Sequence, residues 1–171
     1  MIGQPIVYQY LQSLNIEYQY FEHPPIPIIE DAKIHKWWID AVFCKNLFFR
    51  NHKGNKHYLV ILHHDSQFNL RMLEQFLKQG KLSFASEKRM QTYLGLNHGS
   101  VSPFGLIHDK ENHVHVYFDP VLKTAPKLSF HPNDNRATLI LKAADFWKYM
   151  NAVGNSYEYL PSEMVTASGY Q

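Results

Sequence analysis

The run Gly-Ser-Val-Ser-Pro-Phe-Gly-Leu at residues 99–106 is the stretch of this chain best suited to chemistry through the main chain. Gly99 has access to positive φ and lets a ligand approach the backbone, while Pro103 fixes one φ angle and removes one donor. Ser100 and Ser102 add hydroxyls that donate or accept. The loop lies between an expected helix ending near residue 94 and an expected strand at 104–107, so small residues deliver the backbone to one place. An ordinary connector has a similar composition, and the loop alone does not decide between the two.

Other chemistry-bearing residues are scattered. Eleven histidines invite a metal reading, and His113 and His115 would share one face of a strand. Neither a cysteine cluster nor a His-Glu-x-x-His motif accompanies them, so no metal ligand is assigned. His63 and His64, at a strand end, read as surface or hydrogen-bonding groups. No Gly-x-Ser-x-Gly elbow is present. Cys44 adjoins Lys45, but strand alternation turns one of these neighbours inward when the other faces outward, and a buried structural thiol is the favoured reading.

The 171 residues are enough for one domain with a sizeable core, and 45% hydrophobic with 19% charged residues is ordinary globular composition. Eleven Tyr and eleven Phe favour a sheet-containing fold. A single cysteine forbids an internal disulfide and suits a reducing compartment. No leader-like or membrane-length apolar run occurs, so a cytoplasmic protein with no membrane partner is expected. Net charge is only +2, yet residues 41–100 hold nine Lys or Arg against three acids, which suits a phosphate-bearing partner as well as solvated helix faces.

The elements that must position these groups can be read in order. Apolar spacing predicts a helix over 5–14, alternation a strand over 16–21, and His23-Pro24-Pro25 a break. A helix over 27–38 would carry Trp37 and Trp38 into the core. Strands over 41–50 and 58–62 flank a Gly54 turn as a first hairpin. A helix behind Asn69, a short strand at 81–84 and a helix between the Ser86 cap and the Gly95 stop follow. A second hairpin is expected from 104–107 and 114–118, a third from 128–130 and 137–141, then a helix over 143–153 and a loose tail from 155. The expected architecture is one α+β domain, residues 1–154, with a curved, mostly antiparallel, barrel-like sheet flanked by helices.

Three segments together resemble the prolyl-tRNA editing domains of the YbaK-like family: Lys-Asn-Leu-Phe-Phe-Arg at 45–50, the 99–106 loop, and Phe-His-Pro-Asn-Asp-Asn at 130–135. The resemblance covers roughly residues 16–153. It implies a free-standing hydrolase acting on mischarged aminoacyl-tRNA(Pro), without metal or cofactor and with no DNA partner, and leaves prolyl-tRNA synthetase open as a second partner. It implies that Lys45 holds the tRNA 3′ end and that Gly99, Ser100, Val101, Ser102 and Pro103 hold the ester and a water through backbone groups. Asn46, His131, Asn133, Asn135 and His23 would bind the 3′ end, His131 at the terminal adenosine.

This division of labour is physically sensible. An aminoacyl ester is labile, so positioned water and a stabilised oxyanion suffice without a strong nucleophile. A synthetase site shaped for proline rejects smaller amino acids weakly, so a second sieve is needed. His23-Pro24-Pro25 resembles the alanine-directed members, although residues 26–28 and 40–44 depart from their usual pattern. Removal of cysteine is the alternative. A non-catalytic tRNA- or nucleotide-binding module and, more distantly, a metal-dependent hydrolase are the competing classes.

Overall fold

The computed structural model describes residues 1–25 and 41–167. The expected helix over 27–38, with Trp37 and Trp38, and residues 26–28 lie outside the described residues.

Helix α1 (Pro5–Ser13) begins with proline at its first position and buries Val7 and Leu11. Strand β1 (Gln19–Glu22) follows. The first hairpin forms as expected from β2 (Ala41–Arg50) and β3 (His57–His63), paired from Cys44↔His63 to Arg50↔His57. Its turn is closed by Asn51, whose Oδ1 accepts from the N–H groups of Asn55 and Lys56 at 3.0 Å each. Strand β4 (Ser66–Phe68) leads into α2 (Leu70–Leu77), which Asn69 caps by accepting from Met72 N. Strand β5 (Ser83–Phe84) is followed by α3 (Glu87–Leu94), capped by Ser86 and stopped by Gly95 in the left-handed region.

The second expected hairpin does not form. Pro103–His108 is a 3₁₀ helix, started by Ser102 Oγ accepting from Phe104 N and by Pro103 at its first position. Residues 103–107 are all buried, and a short apolar run buried on every side has no periodicity that separates strand from helix. Strand β6 (His115–Phe118) instead pairs parallel with β3. A second 3₁₀ turn (Pro120–Thr124) leads to β7 (Lys127–Phe130) and β8 (Ala137–Lys142), the third hairpin as expected. Helix α4 (Ala143–Val153) buries Phe146, Tyr149 and Met150.

Residues 155–167 are not a loose tail. Strand β9 (Tyr157–Tyr159) pairs parallel with β6, and β10 (Val165–Ala167) pairs antiparallel with β4. Three-residue strands lie below the length at which alternation is legible, and their pairing with distant strands supplies the order. Asn155 anchors the entry to β9, donating through Nδ2 to Asp109 Oδ2 and Val114 O.

The main sheet runs β1-β8-β7-β2-β3-β6-β9, with β5 added to β2. Its path does not close among the described residues, and the β2–β7, β3–β6 and β6–β9 pairs are parallel within an otherwise antiparallel arrangement. One face packs α1, α3 and α4 around Phe48, Phe104, Phe118 and Phe146, while the other packs α2 against Phe49, Val60 and Leu62. Central β3 is buried at every position because it is covered on both faces.

Candidate active site

The site arises from a split in one sheet edge. On the side of β2 away from β3, β7 pairs with residues 41–43 and β5 with residues 49–50, which leaves an interval between them. The carbonyls of Val42 and Phe48 point to that side, accepting from Ser129 Oγ at 3.1 Å and Ala85 N at 2.8 Å. The two-residue period therefore turns the main-chain groups of Cys44 and Asn46 the same way.

A cavity of about 320 Å³ opens at this interval, and Asn46, Gly99, Val101 and His131 all line it, with Phe48, Phe84 and Met90. Three segments far apart in the chain thus meet at one place. Gly99 has φ +90°, and a Cβ there would find open space with only Asn135 Nδ2 at 4.0 Å, so backbone conformation is what requires glycine. Asn46 Oδ1 is buried beside the cavity without a hydrogen-bond partner among the described residues.

His131 Nδ1 bonds Ala137 O at 2.7 Å, which assigns its proton to Nδ1 and leaves Nε2 as an acceptor. Burial lowers the pKa of this ring below the ordinary imidazole value, so it is neutral at pH 7. His23 lies alongside with ring centroids 5.9 Å apart, held by Pro24 O at 2.8 Å and Thr138 Oγ1 at 2.7 Å. No carboxylate is among the described residues lining the cavity. Its polar lining is made of main-chain groups and the side chains of Cys44, Asn46, His98 and His131.

The remaining predicted residues support the loops around the cavity. Ser102 and Pro103 are buried, and Ser102 Oγ donates to His131 O at 2.8 Å. Ser100 N bonds Asn97 O at 3.2 Å and closes the loop. Asn133 sits at φ +63° and donates through Nδ2 to Gln4 Oε1 at 2.8 Å. Sequence reasoning missed Gln4, which also accepts from His108 Nε2 at 2.7 Å and donates to Gly95 O at 3.0 Å. A glutamine ahead of a first helix carries no motif, and only the fold brings 4, 95, 108 and 133 together.

Lys45 is not brought to the cavity wall. It alternates with Cys44 and Asn46, sharing the face of Leu47 and Phe49, and its Nζ donates to Ser66 O at 2.5 Å. Cys44 is partly buried: it packs against the larger core and also lines the cavity, and desolvation raises its thiol pKa.

His113 and His115 are committed elsewhere. His113 Nε2 bonds His57 Nδ1 at 2.9 Å, and His115 Nδ1 bonds Ser156 Oγ at 2.7 Å. Among the described residues His63, His64 and Asp65 bring three metal-type atoms within 4.8 Å of one another. Asp65 N donates to His63 Nδ1 at 3.0 Å, which puts the ring proton on Nε2, where a metal would need a lone pair.

Solved structures share this architecture. A protein proposed to be a trans-editing enzyme for prolyl tRNA synthetase superposes with a TM-score of 0.66 at 19% identity, over 92% of this chain and 96% of its own. The hypothetical protein APE2540 superposes at 0.67 with 15% identity, over 88% and 95%. The fold is that of the trans-editing proteins.

The profile of the aminoacyl-tRNA editing domain matches residues 23–149, and the chain belongs to that family. The prolyl-tRNA editing protein ProX of Acetoanaerobium sticklandii is 42% identical over 149 residues, 86% of this chain and 90% of the relative. Prolyl-tRNA synthetase associated domain-containing protein 1 of Mus musculus is 33% identical over 150 residues, 86% and 89% of the two chains. Among the described residues no helix is long and apolar enough to cross a membrane.

Proposed function

We propose that this chain is a free-standing hydrolase of mischarged aminoacyl-tRNA(Pro), removing alanine in preference to cysteine. One observation carries the reading: residues from all three motif segments, Asn46, Gly99 with Val101, and His131, line a single small cavity. The 42% identity to a prolyl-tRNA editing protein supports the same substrate class.

In this reading the ester carbonyl lies against the 99–102 loop, where main-chain N–H groups other than that of Ser100, which Asn97 O holds, meet the developing oxyanion. Water attacks the carbonyl carbon, the bond to the ribose oxygen breaks, and that oxygen leaves with a proton. His131 Nε2 accepts from the terminal nucleoside, and Asn46 Oδ1 accepts from a substrate donor. Asn133, Asn135 and His23 keep the loops in register. Lys45 supplies a point charge for a backbone phosphate from the Ser66 side of β2. The editing unit is residues 1–154 together with the β9 and β10 segment that completes their sheets, the cytoplasm is its compartment, and prolyl-tRNA synthetase is the partner that would add tRNA selectivity.

Single-turnover deacylation of alanyl-, cysteinyl- and prolyl-tRNA(Pro) tests the reading. Loss of the alanyl ester first, with the prolyl ester spared, is the expected result. Faster loss of the cysteinyl ester would reassign the substrate, and binding of all three without cleavage would leave a tRNA-binding module in place of an enzyme.

A further inference from the structure

Phe84 is 64% exposed although it stands in a strand. It is nevertheless held firmly. Residues 83 and 84 pair with Arg50 and Phe49, and the next residue, Ala85, donates its N–H to Phe48 O at 2.8 Å. One face of the Phe84 ring lies on Phe49, with centroids 4.7 Å apart and planes 29° from parallel, and Phe49 is itself 1% exposed. The outer face is therefore a fixed apolar plate backed by a second aromatic ring. It forms part of the rim of the cavity that Asn46, Gly99 and His131 line.

We propose that Phe84 is a stacking platform for an unpaired nucleobase of the tRNA 3′ end. The proposal rests on the substrate class assigned above and adds a subsite which that assignment does not require. In that assignment the ester and the nucleoside that carries it occupy the cavity that Phe84 borders, so the nucleotides behind cross its rim. Every base offers a π-face to an aromatic plate, which makes such a platform tolerant of sequence. Exposed Lys81 and Lys88 flank the ring in the chain and suit the phosphates between bases.

A protein partner would need a broader apolar surface. The chain neighbours Ser83, Ser86 and Glu87 are polar and exposed, and the apolar residues near the ring, Leu47, Phe48 and Met90, line the cavity, so the exposed apolar area is small for a protein interface.

Uncharged tRNA(Pro) carrying 2-aminopurine for the terminal adenine, or pyrrolocytosine for the base before it, reads stacking without hydrolysis. Wild type should quench one of the two probes, and Phe84→Trp should keep the quench. Phe84→Ala and Phe84→Leu should lose it, weaken binding about tenfold and raise KM for deacylation by a similar factor with kcat nearly constant. Phe84→Ala gives up the ring pair with Phe49, so thermal melting should fall by a few degrees while the protein stays folded, and Phe84→Trp should melt as wild type does.

A wild-type protein that quenches neither probe overturns the proposal, as does a Phe84→Ala protein that binds normally. Leucine serving as well as tryptophan would make the contact one of apolarity and overturn stacking. A wild-type dimer that Phe84→Ala dissolves would assign the ring to a second copy and overturn it also. Quenching by a protein that cleaves no ester supports the platform and defeats only the hydrolase reading.

Discussion

The Ser102 hydroxyl donates to the His131 main-chain carbonyl at 2.8 Å and accepts from Phe104 N at 3.2 Å. One buried side chain thus ties the loop that carries Gly99 to the turn that carries His131, and starts the 3₁₀ helix behind them. Ser102→Ala removes the donor and the cap while leaving the backbone free to fold. Stability should fall by about 1–2 kcal/mol in chemical denaturation, and deacylation should slow more than the stability loss explains. An unchanged rate in a protein of reduced stability would separate this hydrogen bond from the site.

Gly99 stands at φ +90° with open space where a Cβ would project. Gly99→Ala therefore meets strain in the backbone without a steric clash. The cost should be about 1–2 kcal/mol, seen in the denaturation midpoint, with a larger relative loss in kcat as the loop relaxes away from φ > 0. Wild-type kcat in Gly99→Ala would show that the loop's conformation is not used.

Lys45 Nζ donates to Ser66 O, on the strand that β10 pairs with. Lys45→Met keeps the aliphatic stem and removes the charge. We expect tRNA binding to weaken with a flatter salt dependence, as loss of one phosphate contact implies, and deacylation at subsaturating protein to fall about tenfold. Lys45→Arg should recover binding more than turnover, since a planar guanidinium differs from a point charge. Full activity in Lys45→Met would remove the residue from the mechanism.

His57 is 1% exposed, donates through Nδ1 to His113 at 2.9 Å and accepts from Arg89 at 3.0 Å. Burial, with His113 and the Arg89 and Arg50 charges, lowers its pKa from 6.5 to about 4. The neutral ring is the folded form. Its contribution to stability is complete above pH 6.5 and is lost as the pH falls towards 4, because the unfolded chain binds the proton first. Urea midpoints should drop across that window by an amount on the order of 2 kcal/mol, and His57→Gln should flatten the drop. His63, His108, His115 and His131, also lowered by burial, contribute in the same direction.

Gln4 joins the chain start to three loops, through Gly95 O, His108 Nε2 and Asn133 Nδ2. Gln4→Ala leaves those polar groups without their partner and should cost about 1–3 kcal/mol. Hydrogen exchange should then quicken at residues 131–135 ahead of the rest of the sheet. Uniform quickening would make Gln4 a general contributor to stability, with no special hold on this turn.

Local chemistry made much of this legible from sequence. The Asn51–Gly54 turn, the Asn69 and Ser86 caps, the Gly95 stop and the 128–141 hairpin depend on residues within a few positions of one another, and each formed where its residue types demand. The motif segments at 45–50, 99–106 and 130–135 could be picked out together because their order and spacing resemble one family.

Tertiary structure alone decided the rest. Residues 103–107 are buried on every side, which erases the periodicity that would distinguish a 3₁₀ helix from a strand. Strand β9 exists because β6 offers it an edge, and Gln4 matters because three distant loops surround it. The interval in β2 that opens the cavity depends on where β7 stops and β5 begins. The face on which Lys45 lies was set by strand alternation, but its bond to Ser66 O needed β4 folded beside it. Short-range capping and turn chemistry is written in neighbouring residues, whereas pairing between distant edges is a property of the whole packed chain.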